Sequence, residues 1–191
     1  MTSTSDLHKV VEFLADTVGL NATFEAGVSG FCDGVVIRAG SLVVDPQVCA
    51  IGDLLHEAGH VAITPGRYRH LMSDDLREGL KLMLDDVEKL GPDSEVFQPA
   101  MQCSDPEATA WAWAAGMHLG LKPEIIIEDD AYGSSGANVR SQLLSSELGR
   151  PYGRVTGYLG IHGLAHAGMT SLHNRGGAAM FPEMKRWRQI D

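Results

Sequence analysis

Apolar residues recur along this chain with two periods, and the switch between them predicts its elements. Leu7, Val10, Val11, Leu14 and Val18 fall on one face of a helix that Ser3 or Ser5 can cap and Gly19 ends. Residues 23–28, 34–38 and 41–45 then change to short β-rich runs separated by glycine-rich turns. They predict a small three-stranded sheet, closed after Asp45 by Pro46, which cannot continue a ladder. The helical period returns over 48–63, with Leu54, Leu55, Ala58, Val61 and Ala62 covering its sides, and stops before Pro65. Residues 64–72, with Arg67, Tyr68, Arg69 and His70, form a connection expected to border a cleft.

A sharply amphipathic helix follows over 73–90. Leu76, Leu80, Met83, Leu84 and Val87 make its inner stripe, and Asp74, Glu78, Lys81, Asp85 and Glu88 its wet side. Asp105-Pro106-Glu107 has the residue order of a helix start, and 108–115 beyond it is apolar almost all round, so that helix should be buried. Residues 132–137 read as a flexible loop, 138–148 as a helix and 149–153 as a turn. The basic-aromatic tail, 181–191, is expected to dock through Phe181 and Trp187. Neither an internal repeat nor a linker interrupts the pattern, so the expected fold class is α+β, as a single domain over 1–191.

Composition narrows the function. The chain is 44% hydrophobic and 21% charged, the balance of a soluble globular protein. A formal charge of -10 argues against a nucleic-acid partner, since phosphate binding needs clustered Lys and Arg. Cys32, Cys49 and Cys103 form no Cys-x-x-Cys pair and read as buried thiols of a reducing compartment. The first residues lack a basic start and an apolar signal core, and no apolar run reaches membrane-spanning length. A cytoplasmic protein without a membrane partner is expected.

The chemistry concentrates in 54–62, where His56-Glu57-Ala58-Gly59-His60 sits among apolar residues. On a helix the two imidazoles lie one turn apart on one face and can share one zinc ion, Zn2+. Glu57 is then placed to take a proton from a metal-activated water. Gly59 lowers helix propensity, which is tolerable where another backbone passes close by.

A catalytic zinc usually has three protein ligands, so one remains to be found. A metzincin would have glycine at 63 and histidine at 66, where this chain has Ile63 and Gly66. Glu107 is the leading candidate, because a lone carboxylate opening a buried helix needs a partner. Asp74, Asp75, Glu78, Cys103 or a further histidine are the alternatives. A second His-x-x-x-His pair, His162 and His166, has no glutamate after its first histidine; with Tyr132 and Tyr158 it offers hydrogen-bond donors to a cleft.

Residues 41–46 with 54–60, and 107–114 (Glu-Ala-Thr-Ala-Trp-Ala-Trp-Ala), resemble blocks of the zincin metallopeptidases. The likeness is to the gluzincin side, and more narrowly to the ImmA/IrrE-like group. That resemblance implies a zincin-like fold with a small sheet beside the active-site helix. It implies zinc on His56, His60 and Glu107, with Glu57 as general base. The expected activity is a zinc-dependent hydrolase, a metallopeptidase whose substrate is a peptide laid along the sheet edge. A hydrolase of a small amide, and a non-catalytic metal-binding or partner-binding module, are the rival readings.

Overall fold

The computed structural model describes residues 4–147 and 157–190. Its architecture is mixed α and β, a small sheet among many helices. The N-terminal stripe forms α1 (Thr4–Phe13), continued by a π-helical stretch, Leu14–Val18. Gly19, at φ 73°, takes the left-handed conformation that lets its N–H return to Leu14 O and end the element. Leu7, Val10, Leu14 and Val18 are buried, as their spacing requires.

The next three elements are β1 (Ala22–Phe24), β2 (Val35–Arg38) and β3 (Ser41–Val44). The sheet order is β1-β3-β2, with β3 parallel to β1 and antiparallel to β2. Side chains alternate as a pleat demands: Val35, Ile37, Leu42 and Val44 enter the main core, while Val36 and Val43 join Val28 on the opposite face. Ala39 (φ 49°) and Gly40 (φ 77°) make the left-handed pair that a two-residue hairpin turn needs.

The motif lies on α2 (Ile51–Ile63), buried along most of its length against the sheet. A 3-10 turn (Gly66–Leu71) leads to α3 (Leu76–Leu90), where Asp75 caps the first turn by accepting from the Arg77 N–H at 3.1 Å. Met83 and Val87 of its stripe are buried, but Leu84 is turned to solvent. A short turn, α4 (Phe97–Ala100), precedes α5 (Asp105–His118), whose residues 107–116 are all buried. Helix α5 packs directly on α2. Gly59 is required there, since a side-chain carbon at that position would stand 2.7 Å from the Ala108 carbonyl oxygen. Beyond lie α6 (Pro123–Ile126), the single turn α7 (Ala131–Ser134), α8 (Gly136–Glu147) and α9 (Leu159–His166). Helix α9 packs against α5.

The tail straps the back of this helix pair. Trp187 meets Phe13 (5.0 Å) and Trp111 (5.9 Å) edge to face, and its carbonyl accepts from Trp111 Nε1 at 2.8 Å. The Gln189 N–H donates to Ala62 O at 2.8 Å, and Gln189 Nε2 to Ala167 O at 2.9 Å. Phe181 is fully buried, so the expected docking residues both serve. The connection at 64–72 does not line the cleft described below: Arg69 instead donates to Val61 O and to Gln189 O, fixing the tail. Ser3, Leu148 and the turn expected at 149–153 lie outside the described residues. No described helix is long and apolar enough to cross a membrane.

Candidate metal centre

Helical spacing brings the two rings of α2 together. His56 Nε2 and His60 Nε2 are 3.1 Å apart, with the ring planes at 88°. Asp105, the first residue of α5, adds its Oδ1 at 3.2 Å from His60 Nε2. The three donor atoms all lie within 4.8 Å of one another and can hold a metal ion. The spacing fits: ligands about 2.0–2.1 Å from a tetrahedral zinc stand about 3.3 Å apart. Hydrogen bonding alone serves this group poorly, because one Nε2 carries at most one proton and His60 Nε2 faces two partners. A cation satisfies all three atoms at once.

The electrostatics agree with that use. Burial, reinforced by the neighbouring His60, pushes His56 down to about 4, so the ring is neutral near pH 7, the form a metal requires. The hydrogen bond with His60 holds the Asp105 carboxyl below the usual carboxylate range. Glu57 is buried, and burial raises its pKa. The Cys32 thiol donates to Glu57 Oε1 at 3.4 Å; burial and the nearby carboxylates of Asp53 and Glu57 raise its own pKa and keep the proton on sulfur.

Behind His56 stand two hydroxyls. Thr109 Oγ1 and Tyr132 Oη lie 3.5 and 3.4 Å from His56 Nδ1 and 2.9 Å from each other. Tyr132 reaches this place with φ 55°, a left-handed conformation that costs a non-glycine residue roughly 1–2 kcal/mol. Burial lifts its phenol to about 12, so it stays protonated.

The group opens on a cleft of about 650 Å³. His56, Glu57, His60 and Asp105 line it together with Gly30 and Phe31 on one side and residues 74–77 on the other. Asp74 Oδ1 accepts the Phe31 N–H at 3.1 Å and ties the two sides together. Phe31 itself is 87% exposed.

Of the residues singled out in the sequence, His56, Glu57 and His60 meet at this cleft, and Glu107 does not join the converging donors. Two residues along a helix rotate a side chain by about 200°, so Asp105 turns to α2 while Glu107 turns away from it. Glu107 accepts from the Ser104 hydroxyl and lies against Gly163 of α9, where any side chain would collide with it. Among the alternatives, Asp74 holds the Phe31 loop, Asp75 caps α3 and Glu78 is exposed. The Cys103 thiol donates to the carbonyls of Ile63 and Pro99. The expectation of buried thiols is met at Cys49 and Cys103 but not at half-buried Cys32. His162 and His166 belong to no metal-holding group among the described residues.

Asp105 and Thr109 are the contributors that sequence reading missed. Asp105 reads as a helix cap, and a helix cap and a ligand use the same residue types. Thr109 did carry a signal, being the one hydroxyl in the alanine and tryptophan run of α5. Tyr132, expected as a donor to the cleft, stands instead behind His56, where its left-handed turn brings it. No family model, no curated protein and no solved structure matches this chain.

Proposed function

We propose that this chain is a zinc-dependent hydrolase of amide bonds, a metallopeptidase with a zincin-like site. His56, His60 and Asp105 hold the ion, and Glu57 is the general base. One observation carries the reading: three donors, two imidazole nitrogens and a carboxylate oxygen, at metal-ligand spacing, with the buried carboxylate of Glu57 beside them, all on one cleft. Zinc at such a site supplies a Lewis acid that acidifies water and polarises a carbonyl oxygen.

Glu57 does the proton work. Its Oε1 accepts from Cys32, which leaves Oε2 to take a proton from the attacking water. The water oxygen bonds to the carbonyl carbon, the carbon–nitrogen bond breaks, and Glu57 passes its proton to the departing amine. A carboxyl whose pKa is raised by burial suits both halves of that exchange, since it accepts a proton and returns it.

The shape of the cleft favours a peptide over a small amide. No residue of 124–147 or 157–169 lines it, so among the described residues the last third of the chain does not close it. Its wall beside Glu57 is the 29–33 loop, folded back on itself by the isolated bridge Ser29↔Asp33 and joined to the start of β2 by the bridge Cys32↔Val35. The test is Glu57→Gln against a mixed-sequence peptide library. Turnover should fall by at least about 100-fold while zinc content is unchanged. A wild type that cleaves no peptide, or a variant that cleaves as well as wild type, overturns the hydrolase assignment.

A further inference from the structure

We propose that Thr109 and Tyr132 form a hydroxyl pair that accepts the Nδ1–H of His56 and so fixes the tautomer whose Nε2 lone pair faces His60 and Asp105. This rests on the metal reading of the site, because only a ligand needs its lone pair on that nitrogen. Both hydroxyl oxygens lie on the far side of the ring from the donor triangle, at 3.5 and 3.4 Å from Nδ1. A neutral imidazole carries one proton, so a proton held at Nδ1 leaves Nε2 free to ligate.

The protons can be counted. A hydroxyl also donates, and one that donated to Nδ1 would enforce the wrong tautomer. Thr109 and Tyr132 are 2.9 Å apart, and Tyr158, at the start of α9, also hydrogen-bonds Thr109. If Thr109 donates to Tyr158 and Tyr132 donates to Thr109, each hydroxyl proton is used once. The Tyr132 oxygen is then left as the acceptor that Nδ1–H needs. The Tyr132 ring also stands edge-on to His56, with centroids 6.0 Å apart, which limits rotation of the imidazole. Three separate stretches of chain, α2, α5 and the turn α7, thus converge behind a single ring nitrogen.

Metal-ligating histidines are commonly oriented in this way through the nitrogen that does not bind the metal. Here Thr109 and Tyr132 are positioning residues, touching neither ion nor substrate. The decisive experiment needs no metal: two-bond ¹H–¹⁵N correlation spectra of the chelator-treated, full-length protein report the tautomer of His56. The wild type should hold the Nδ1–H form. Tyr132→Phe combined with Thr109→Val should shift His56 towards the Nε2–H form, and Thr109→Ser should keep the wild-type signature. Zinc competition with a chromophoric chelator is the second arm, with affinity expected to fall about 10–100-fold in the double variant.

A His56 already in the Nε2–H form in the wild type, or a double variant whose tautomer and zinc affinity match the wild type, overturns the inference. Because the spectra are recorded without metal, they separate its failure from that of the metal reading. A wild type in the Nδ1–H form that nevertheless binds no zinc sinks the metal assignment, and with it the purpose claimed for the pair.

Discussion

Asp105 and Glu107 open the same helix with the same charge, yet only one of them faces the imidazoles. The rule that a buried lone acid needs a partner was sound, and the Ser104 hydroxyl is that partner. The rule does not say that the partner is an ion. Asp105→Asn should therefore weaken zinc binding by at least about tenfold, whereas Glu107→Gln should change it less than about threefold, read by chelator competition. The reverse order would restore Glu107 as the ligand. His56 gives a second expectation. Its folded pKa, about 4, lies below the ordinary 6.5, so the unfolded chain binds the extra proton between those values. The stability this histidine confers is complete above pH 6.5 and is lost as pH falls towards 4. The slope approaches about 1.4 kcal/mol per pH unit for one proton. Glu57, with its raised pKa, acts in the opposite sense, losing stability as pH rises through the upper carboxylate range. Urea titrations of chelator-treated protein should thus show a flatter fall from pH 6.5 to 4 in His56→Asn than in the wild type. Parallel profiles would contradict the buried, neutral ring.

Among elements, those with a strong period were legible. The stripe of α1 is a one-dimensional record of which face is buried, the unbroken apolar runs of β2, β3 and α5 record burial on every side, and the structure follows them. The motif helix begins later than its pattern suggests, at Ile51, because Asp45 organises the preceding turn by accepting from Gly27 N–H (2.6 Å) and Gln47 N–H (2.9 Å). What a period cannot encode is how close two helices come. Only Gly59 hinted at it, and the Ala108 carbonyl fills the space beside it. Gly59→Ala raises helix propensity by up to about 1 kcal/mol, but parting the α2 and α5 backbones should cost about 1–3 kcal/mol. A net loss of stability with weaker zinc binding is expected in denaturant titration, since α5 carries both Asp105 and Thr109. A variant more stable than wild type would mean that the two helices are not in contact there.

At the scale of the molecule, the site depends on segments far apart in sequence being held together from behind. The tail does this through Trp187 and Gln189, which bridge α1, α2 and α5. Its aromatic residues were readable as anchors, but the backbone bond from Gln189 to Ala62 was not, since any residue can make it. Trp187→Ala should cost about 3 kcal/mol of stability while zinc affinity in the folded protein stays near wild type. A stability loss under 1 kcal/mol would show that the strap is ornamental. The long reach from α7 to His56 was equally hidden, because a left-handed tyrosine leaves no trace in a hydrophobic pattern. The most direct measurement is metal content by elemental analysis of protein purified without a polyhistidine tag. One zinc per chain is expected for the wild type and none for His60→Ala. A wild type without metal, or a His60→Ala variant that keeps its zinc, would contradict the metal centre outright.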